Sequence, residues 1–144
     1  MTPDITPAAP ADLPAILELL AASKLPPAGI ERHVASTLVA RADSGVVGTA
    51  ALELYGTAAL LRSVAVATRL RGLGLGAALT GAALDLARRR GVSTVYLLTE
   101  TAGRFFPKFG FAEITRAQVD PVVLESPEFT TACPKSALVM VKQL

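Results

Sequence analysis

Three glycines, Gly72, Gly74 and Gly76, alternate along the stretch "RGLGLG", with Arg69 and Arg71 beside them and a helix-like run behind. Glycine lets a backbone come close to a ligand and take positive φ. The first amides of a helix have no internal partner and carry the positive end of its dipole. Anions settle there, a pyrophosphate above all, so these residue types in this order predict a cradle for a diphosphate-bearing cofactor. The plainer alternative is a turn that only lets strand and helix pack closely. No lysine follows the glycines, which excludes a G-x-x-x-x-G-K-[ST] nucleotide loop. "GLGLGA" does fit G-x-G-x-x-A, and Glu100 closes "TVYLLTE" where a dinucleotide site would hold a ribose. Against that reading, "ATRLR" intervenes between strand and glycines, and the strand follows a hairpin instead of opening a βαβαβ series.

Other residues carry chemical potential. Arg62 interrupts the apolar run "ALLRSVAV". A guanidinium there is costly unless it meets an anion, and its fork suits a carboxylate. That anion is either a ligand or a structural carboxylate, and the side chain could instead reach solvent. Ser63 is next to it, and strand neighbours face opposite sides, so the two share a pocket only if a bulge or splay intervenes. Glu53 and Tyr55, two apart in "LELYG", share a face. Thr99 ends a strand and offers a hydroxyl. His33 and Arg32 lie in the ambiguous "IERHVAS". Cys133, the lone cysteine, reads as a small apolar residue.

The elements that must position these residues follow from periodicity. "DITPA" (Asp4 to Ala8) reads as a first strand. Leu13, Ile16, Leu17 and Leu20 mark one helical face, with Asp12 as its N-cap. "TLVARAD" and "VVGTAALELYG", split by "DSG", predict a hairpin. "AALLRSVAVA" is apolar enough for a central strand. Gly74 to Arg90 is the clearest helix, with Leu75, Leu79, Ala82, Ala83 and Leu86 on one side and Gly91 closing it. Arg88 to Arg90 then complement the helix dipole. "STVYLLTE", "FAEITRA" and "SALVMVK" read as strands, "AGRFFPKFG" as a short helix, and "DPVVLESPEF" as irregular. The order implies an α/β domain around a mixed sheet.

With 144 residues, the expectation is a single domain spanning 1–144. A formal charge of +2 and the lack of tryptophan or basic-aromatic alternation argue against nucleic acid. One cysteine and one histidine argue against a disulfide framework and a metal site. With no long apolar run and no signal-like start, a cytoplasmic protein without membrane contact is expected.

Taken together, "RSVAVATRLRGLGLGAAL", "VYLLT" and "FFPKFGF" resemble the GCN5-related N-acetyltransferase (GNAT) family, and the likeness runs from "DITPA" to "SALVMVK". The resemblance implies a GNAT-like mixed, mostly antiparallel central sheet flanked by helices, with acetyl-CoA as cosubstrate and no metal. It implies that Val64, Ala65 and Val66 carry the pantetheine arm and that Arg71, Gly72, Leu73, Gly74, Leu75 and Gly76 hold the pyrophosphate. The intervening "ATRLR" then brings the chain from the thioester end to the diphosphate end.

"ALELYGTAALLRSVAVA", "YLLTETAGRFFPKFGF" and "SPEFTTACPKSA" are further similar to the arsenic-resistance N-acetyltransferase subfamily and to the acetyltransferase domain of N-acetylglutamate synthases. This implies transfer to the α-amine of a small acidic amino acid or analogue, such as glutamate, phosphinothricin or arsinothricin. Arg62, Ser63 and Thr99 become candidate substrate ligands. Lys135 and Ser136 match the family segment before the last strand, where Pro134 replaces an arginine. Phe106 stands where many relatives carry a tyrosine acid, leaving that role to solvent or Tyr55, and Glu53 is the candidate base. A homodimer is compatible with the family. A CoA-binding regulator and a peptide N-acetyltransferase are the rival readings.

Overall fold

The computed structural model describes residues 3–100, 102–132 and 137–144. Within them lies a seven-stranded sheet of order β1-β2-β3-β4-β5-β7-β6. Its strands are β1 (Asp4–Pro7), β2 (Thr37–Ala42), β3 (Gly45–Tyr55), β4 (Ala58–Val66), β5 (Thr94–Thr99), β6 (Ala112–Ile114) and β7 (Leu138–Gln143). β4 and β5 run parallel and every other neighbouring pair is antiparallel. The parallel pair needs a crossover, which helix α2 (Leu75–Arg89) supplies. The expected mixed, mostly antiparallel sheet is therefore the one observed.

α2 buries Leu75, Leu79 and Ala83 against one face of the sheet, with Ala82 and Leu86 partly covered at its rim. It lies so close that a Cβ on Gly48 of β3 would come within 2.8 Å of Leu79 Cδ1. The helix opens at Gly74 and is closed by Gly91, both at positive φ.

Helix α1 (Leu13–Ala22) packs on the opposite face, burying Ile16, Leu19 and Leu20. Leu17, expected in that stripe, is 38% exposed. Leu17 and Leu19 flank the Ile16–Leu20 line on opposite sides, and the sheet lies on the Leu19 flank. Asp12 does not cap α1 with its side chain. The carboxylate turns back to accept the Ala9 N–H at 2.7 Å and takes two bonds from Arg41, at 2.8 and 2.6 Å. "IERHVAS" forms two short 3-10 turns, Ile30–Arg32 and Val34–Ser36. "RFFPKFG" makes a 3-10 turn over Phe106–Phe109.

The feature that shapes the site is a bulge in β4. Thr49 of β3 faces Ala65 and Ala51 faces Arg62, so the single residue Ala50 opposes both Ser63 and Val64. Ser63 takes φ +59, a left-handed conformation uncommon for a side-chain-bearing residue. An extra residue inverts the side-chain alternation beyond it. Before the bulge, Ala59 and Leu61 belong to the α2-side core. After it, Val64 and Val66 pack on that core and Ala65 joins the α1 side. The bend also separates β4 from β5. They pair from Ala58↔Thr94 to Leu61↔Leu97 and no further, leaving β4 to continue with β3 and β5 with β7.

Candidate active site

The separation of β4 and β5 opens a cavity of about 630 Å³. Leu61 to Val66 form one wall and Leu97 to Glu100 the other. Phe105 and Phe106 close the α2 side, and the segment from Ser23 to Pro26 closes the α1 side with Glu128 and Ala137. Arg71 and Gly76 mark the end near the glycine loop.

That loop has the geometry its sequence predicts. Gly72 and Gly74 take φ +83 and +86, conformations that side-chain-bearing residues avoid. Neither has an atom within 4 Å of where a Cβ would stand, so the backbone faces open space at the N-terminus of α2. The Leu73 side chain is 74% exposed, while that of Leu75 is buried in the core, so Leu75 can offer only its amide. Arg71 folds across the loop entrance, donating to Val66 O at 3.2 Å and to Ser23 Oγ at 3.0 Å. These residues fit a diphosphate, and the adjoining strand edge fits an extended amide-bearing tail.

Phe106 is buried, meets Phe105 edge-on at 5.0 Å between centroids, and contacts both core and cavity. Thr99 lines the cavity with its hydroxyl accepting the Ala102 N–H at 2.9 Å. Glu100 lies exposed at the cavity edge. Arg32 is exposed and does not line the cavity. Cys133, Lys135 and Ser136 lie outside the described residues.

Arg62, Ser63, Glu53 and Tyr55 come together, but in an arrangement the sequence did not suggest. The bulge brings Ser63 Oγ within 3.1 Å of Arg62 Nε. Arg62 Nη1 donates to Glu53 Oε2 at 2.8 Å and to Ala28 O at 2.6 Å, and Nη2 donates to Pro26 O at 3.0 Å. The side chains of Arg62 and Glu53 are fully buried. The guanidinium is therefore held by protein acceptors, the structural-carboxylate alternative of the sequence reading, while Arg62 also lines the cavity. It ties the 26–28 segment down onto the sheet.

Glu53 and Tyr55, the candidate base and acid, are engaged by protein partners in the same way. Neither residue lines the cavity. Tyr55 donates its hydroxyl to Glu53 Oε1 at 2.5 Å, so both carboxylate oxygens are engaged. Burial pushes the Glu53 carboxyl up. Hydrogen bonds from Tyr55, Ser126 and Arg62, with the charge of Arg62, outweigh it and hold the group below the ordinary glutamate value. A carboxylate stabilised this way accepts a proton poorly. Burial, the hydrogen bond to Glu53 and the Glu53 charge push the Tyr55 phenol well above the usual tyrosine range, so it yields a proton poorly too. His33 Nε2 lies 3.9 Å from Glu53 Oε2, and burial holds its imidazole below the ordinary value.

Two charged cavity residues escaped the sequence reading. Lys24, at φ +56, follows α1 where no pattern marks it. Glu128, only 5% exposed, begins a π-helical turn (Glu128–Ala132) in a stretch with no periodicity. The order "SPEF", a turn residue and proline before an acid, was the only available signal.

The chain belongs to the acetyltransferase (GNAT) family, whose domain model matches residues 33–113. It is accordingly an acetyltransferase, with acetyl-CoA as its cosubstrate. No curated protein matches it. Among solved structures it is similar to Rv2747 from Mycobacterium tuberculosis in complex with CoA, at 26% identity and TM-score 0.82 over 99% of both chains. It is similar in fold to N-acetylglutamate synthase from Neisseria gonorrhoeae complexed with coenzyme A and N-acetyl-glutamate, at 21% identity and TM-score 0.84, covering 98% of this chain and 35% of that one. A GNAT-family acetyltransferase from Staphylococcus aureus matches at 18% identity and TM-score 0.77 over 98% of each chain. The chain thus spans about a third of the length of the Neisseria synthase. Among the described residues no helix is long and apolar enough to cross a membrane, and no group of histidine, cysteine and carboxylate side chains could hold a metal ion.

Proposed function

We propose that this chain transfers the acetyl group of acetyl-CoA to the α-amine of a small acidic amino acid or a close analogue. The observation that carries the reading is the opening of β4 from β5 at the Ser63–Val64 bulge, continuous with the glycine loop. In this reading the pantetheine runs along Val64, Ala65 and Val66, where the β4 edge no longer pairs with β5. The diphosphate rests on the amides of Gly72 to Gly76, with Arg71 swinging from Ser23 to meet it. Phe106 packs beside the thioester end.

The acceptor enters beneath the 23–26 segment. A cavity of about 630 Å³ roofed by that segment suits a small molecule better than a peptide chain. Lys24 supplies a cation for the distal acidic group, with Lys135 and Ser136 as further candidates, and Ser63 and Thr99 supply hydroxyls. The N-acetyl-glutamate held by the Neisseria synthase supports the same substrate class. The backbone amide near Val64 is the candidate donor to the thioester oxygen as it gains charge. An arsenic- or phosphorus-bearing glutamate analogue fits the same recognition.

The test is thiol release from acetyl-CoA with glutamate, phosphinothricin and arsinothricin, beside a melting curve with and without CoA. Stabilisation by CoA and turnover on at least one acidic amino acid are expected. No thermal stabilisation by CoA would overturn the cofactor placement. Turnover on peptides alone would overturn the substrate class.

A further inference from the structure

We propose that Glu128 is the catalytic base, taking a proton from the acceptor ammonium so that the amine can attack the thioester. The inference rests on the reading of this cavity as the acetyl-transfer site. Glu53 is sealed behind Tyr55 and Arg62 and does not reach the cavity. Two carboxylate residues among those described line the cavity, Glu100 and Glu128. Glu100 is exposed, whereas Glu128 is 5% exposed and stands on the acceptor side beside Ser63.

The surrounding polar groups hold Glu128 in place. Arg62 Nε, which donates to Ser63 Oγ, lies 3.9 Å from Glu128 Oε1. The Glu128 N–H donates to Ser126 Oγ at 3.1 Å. Glu53 therefore acts as a positioning residue, reaching Glu128 through Arg62. Glu128 also begins a π-helical turn, a distortion that recurs at functional sites because it re-aims side chains.

In the proposed step, the Glu128 carboxylate takes one proton from the ammonium. The freed nitrogen lone pair forms the C–N bond to the thioester carbonyl carbon. Collapse of the tetrahedral intermediate breaks the C–S bond, and the departing thiolate takes a second proton from that nitrogen, directly or through water. The third stays on the amide, and Glu128 returns its proton to solvent when product leaves.

The experiment compares the wild type with Glu128→Gln, measuring kcat and KM for the acidic amino acid across pH, acetyl-CoA affinity and melting temperature. A base of this kind contributes about 100- to 10,000-fold. Glu128→Gln should lower kcat/KM for the amine by a factor in that range, leave acetyl-CoA affinity within about twofold, and abolish the carboxyl-controlled acidic limb of the pH profile, leaving only the rise with pH that tracks the free amine. Turnover within about threefold of wild type, with the acidic limb intact, would overturn the proposal and leave the acetyl-transfer reading standing. Absence of wild-type turnover on every acidic amino acid would overturn both. Should Glu128→Gln fail to fold, Glu128→Asp decides. A base drawn back by one methylene keeps the acidic limb with kcat down at least about tenfold, whereas a merely structural Glu128 leaves kcat unchanged in the folded variant.

Discussion

Replacing Arg62 by alanine separates a structural guanidinium from a substrate-binding one. In the wild type its side chain is wholly buried, with Glu53 Oε2 at 2.8 Å and the carbonyls of Ala28 and Pro26 at 2.6 and 3.0 Å. Removing one partner of a buried ion pair costs about 3–5 kcal/mol, because the other charge stays behind without compensation. At roughly 2.1 cal/mol/K per residue, the unfolding entropy of this 144-residue chain is about 0.3 kcal/mol/K. Arg62→Ala should therefore lower the melting temperature by about 10–17 °C at neutral pH. The double variant Glu53→Gln with Arg62→Ala leaves no buried charge at the pair and should recover part of the loss, the single changes being strongly non-additive. Scanning calorimetry of the four proteins closes the cycle, and acceptor KM is measured on each. A melting temperature within about 3 °C of wild type (about 1 kcal/mol), with a large rise in acceptor KM, would refute the structural assignment and return Arg62 to the substrate.

Two further outcomes follow from buried polar groups. Because Glu53 is held below the ordinary 4.5, its contribution to stability is complete above that value and is lost as the pH falls through the lower folded-state value. The melting temperature of the wild type should thus fall more steeply below pH 4.5 than that of Glu53→Gln, and parallel curves would contradict the assignment. Thr49 buries a hydroxyl with no partner among the described residues. Thr49→Val should raise stability by about 1 kcal/mol, read as about 3 °C in melting temperature, and a destabilised variant would mean the hydroxyl has a partner such as a buried water.

The order of elements along the chain and the glycine loop were legible because each rests on local pattern. Alternation and the "DSG" turn set the β2–β3 hairpin, and the Leu75–Leu79–Ala83 stripe set α2. The likeness to acetyltransferases then followed from a strand, a spacer and a glycine run in fixed order. What escaped the sequence depends on contacts between distant segments. Nothing in "LRSV" demands a left-handed Ser63, which the pairing of β3 with β4 imposes together with the Arg62–Ser63 bond. The shared face of Glu53 and Tyr55 was readable, but not that Arg62 would seal it from the ligand side. Glu128 lay in an aperiodic stretch, where no helical or strand rule tells which way a side chain turns.

The extra residue at Ser63 works as a phase marker in the chain's grammar. Exchanging it for another residue changes one letter, whereas deleting it re-reads every letter after it. Val64 and Val66 would swing from under α2 to the α1 side, Ala65 would exchange with them, and β4 could zip onto β5 where the thioester is meant to lie. Chimeras built on this scaffold should therefore join β4 wholly upstream or wholly downstream of that point, because a graft that miscounts by one turns the cleft wall from Val64 to Val66 inside out.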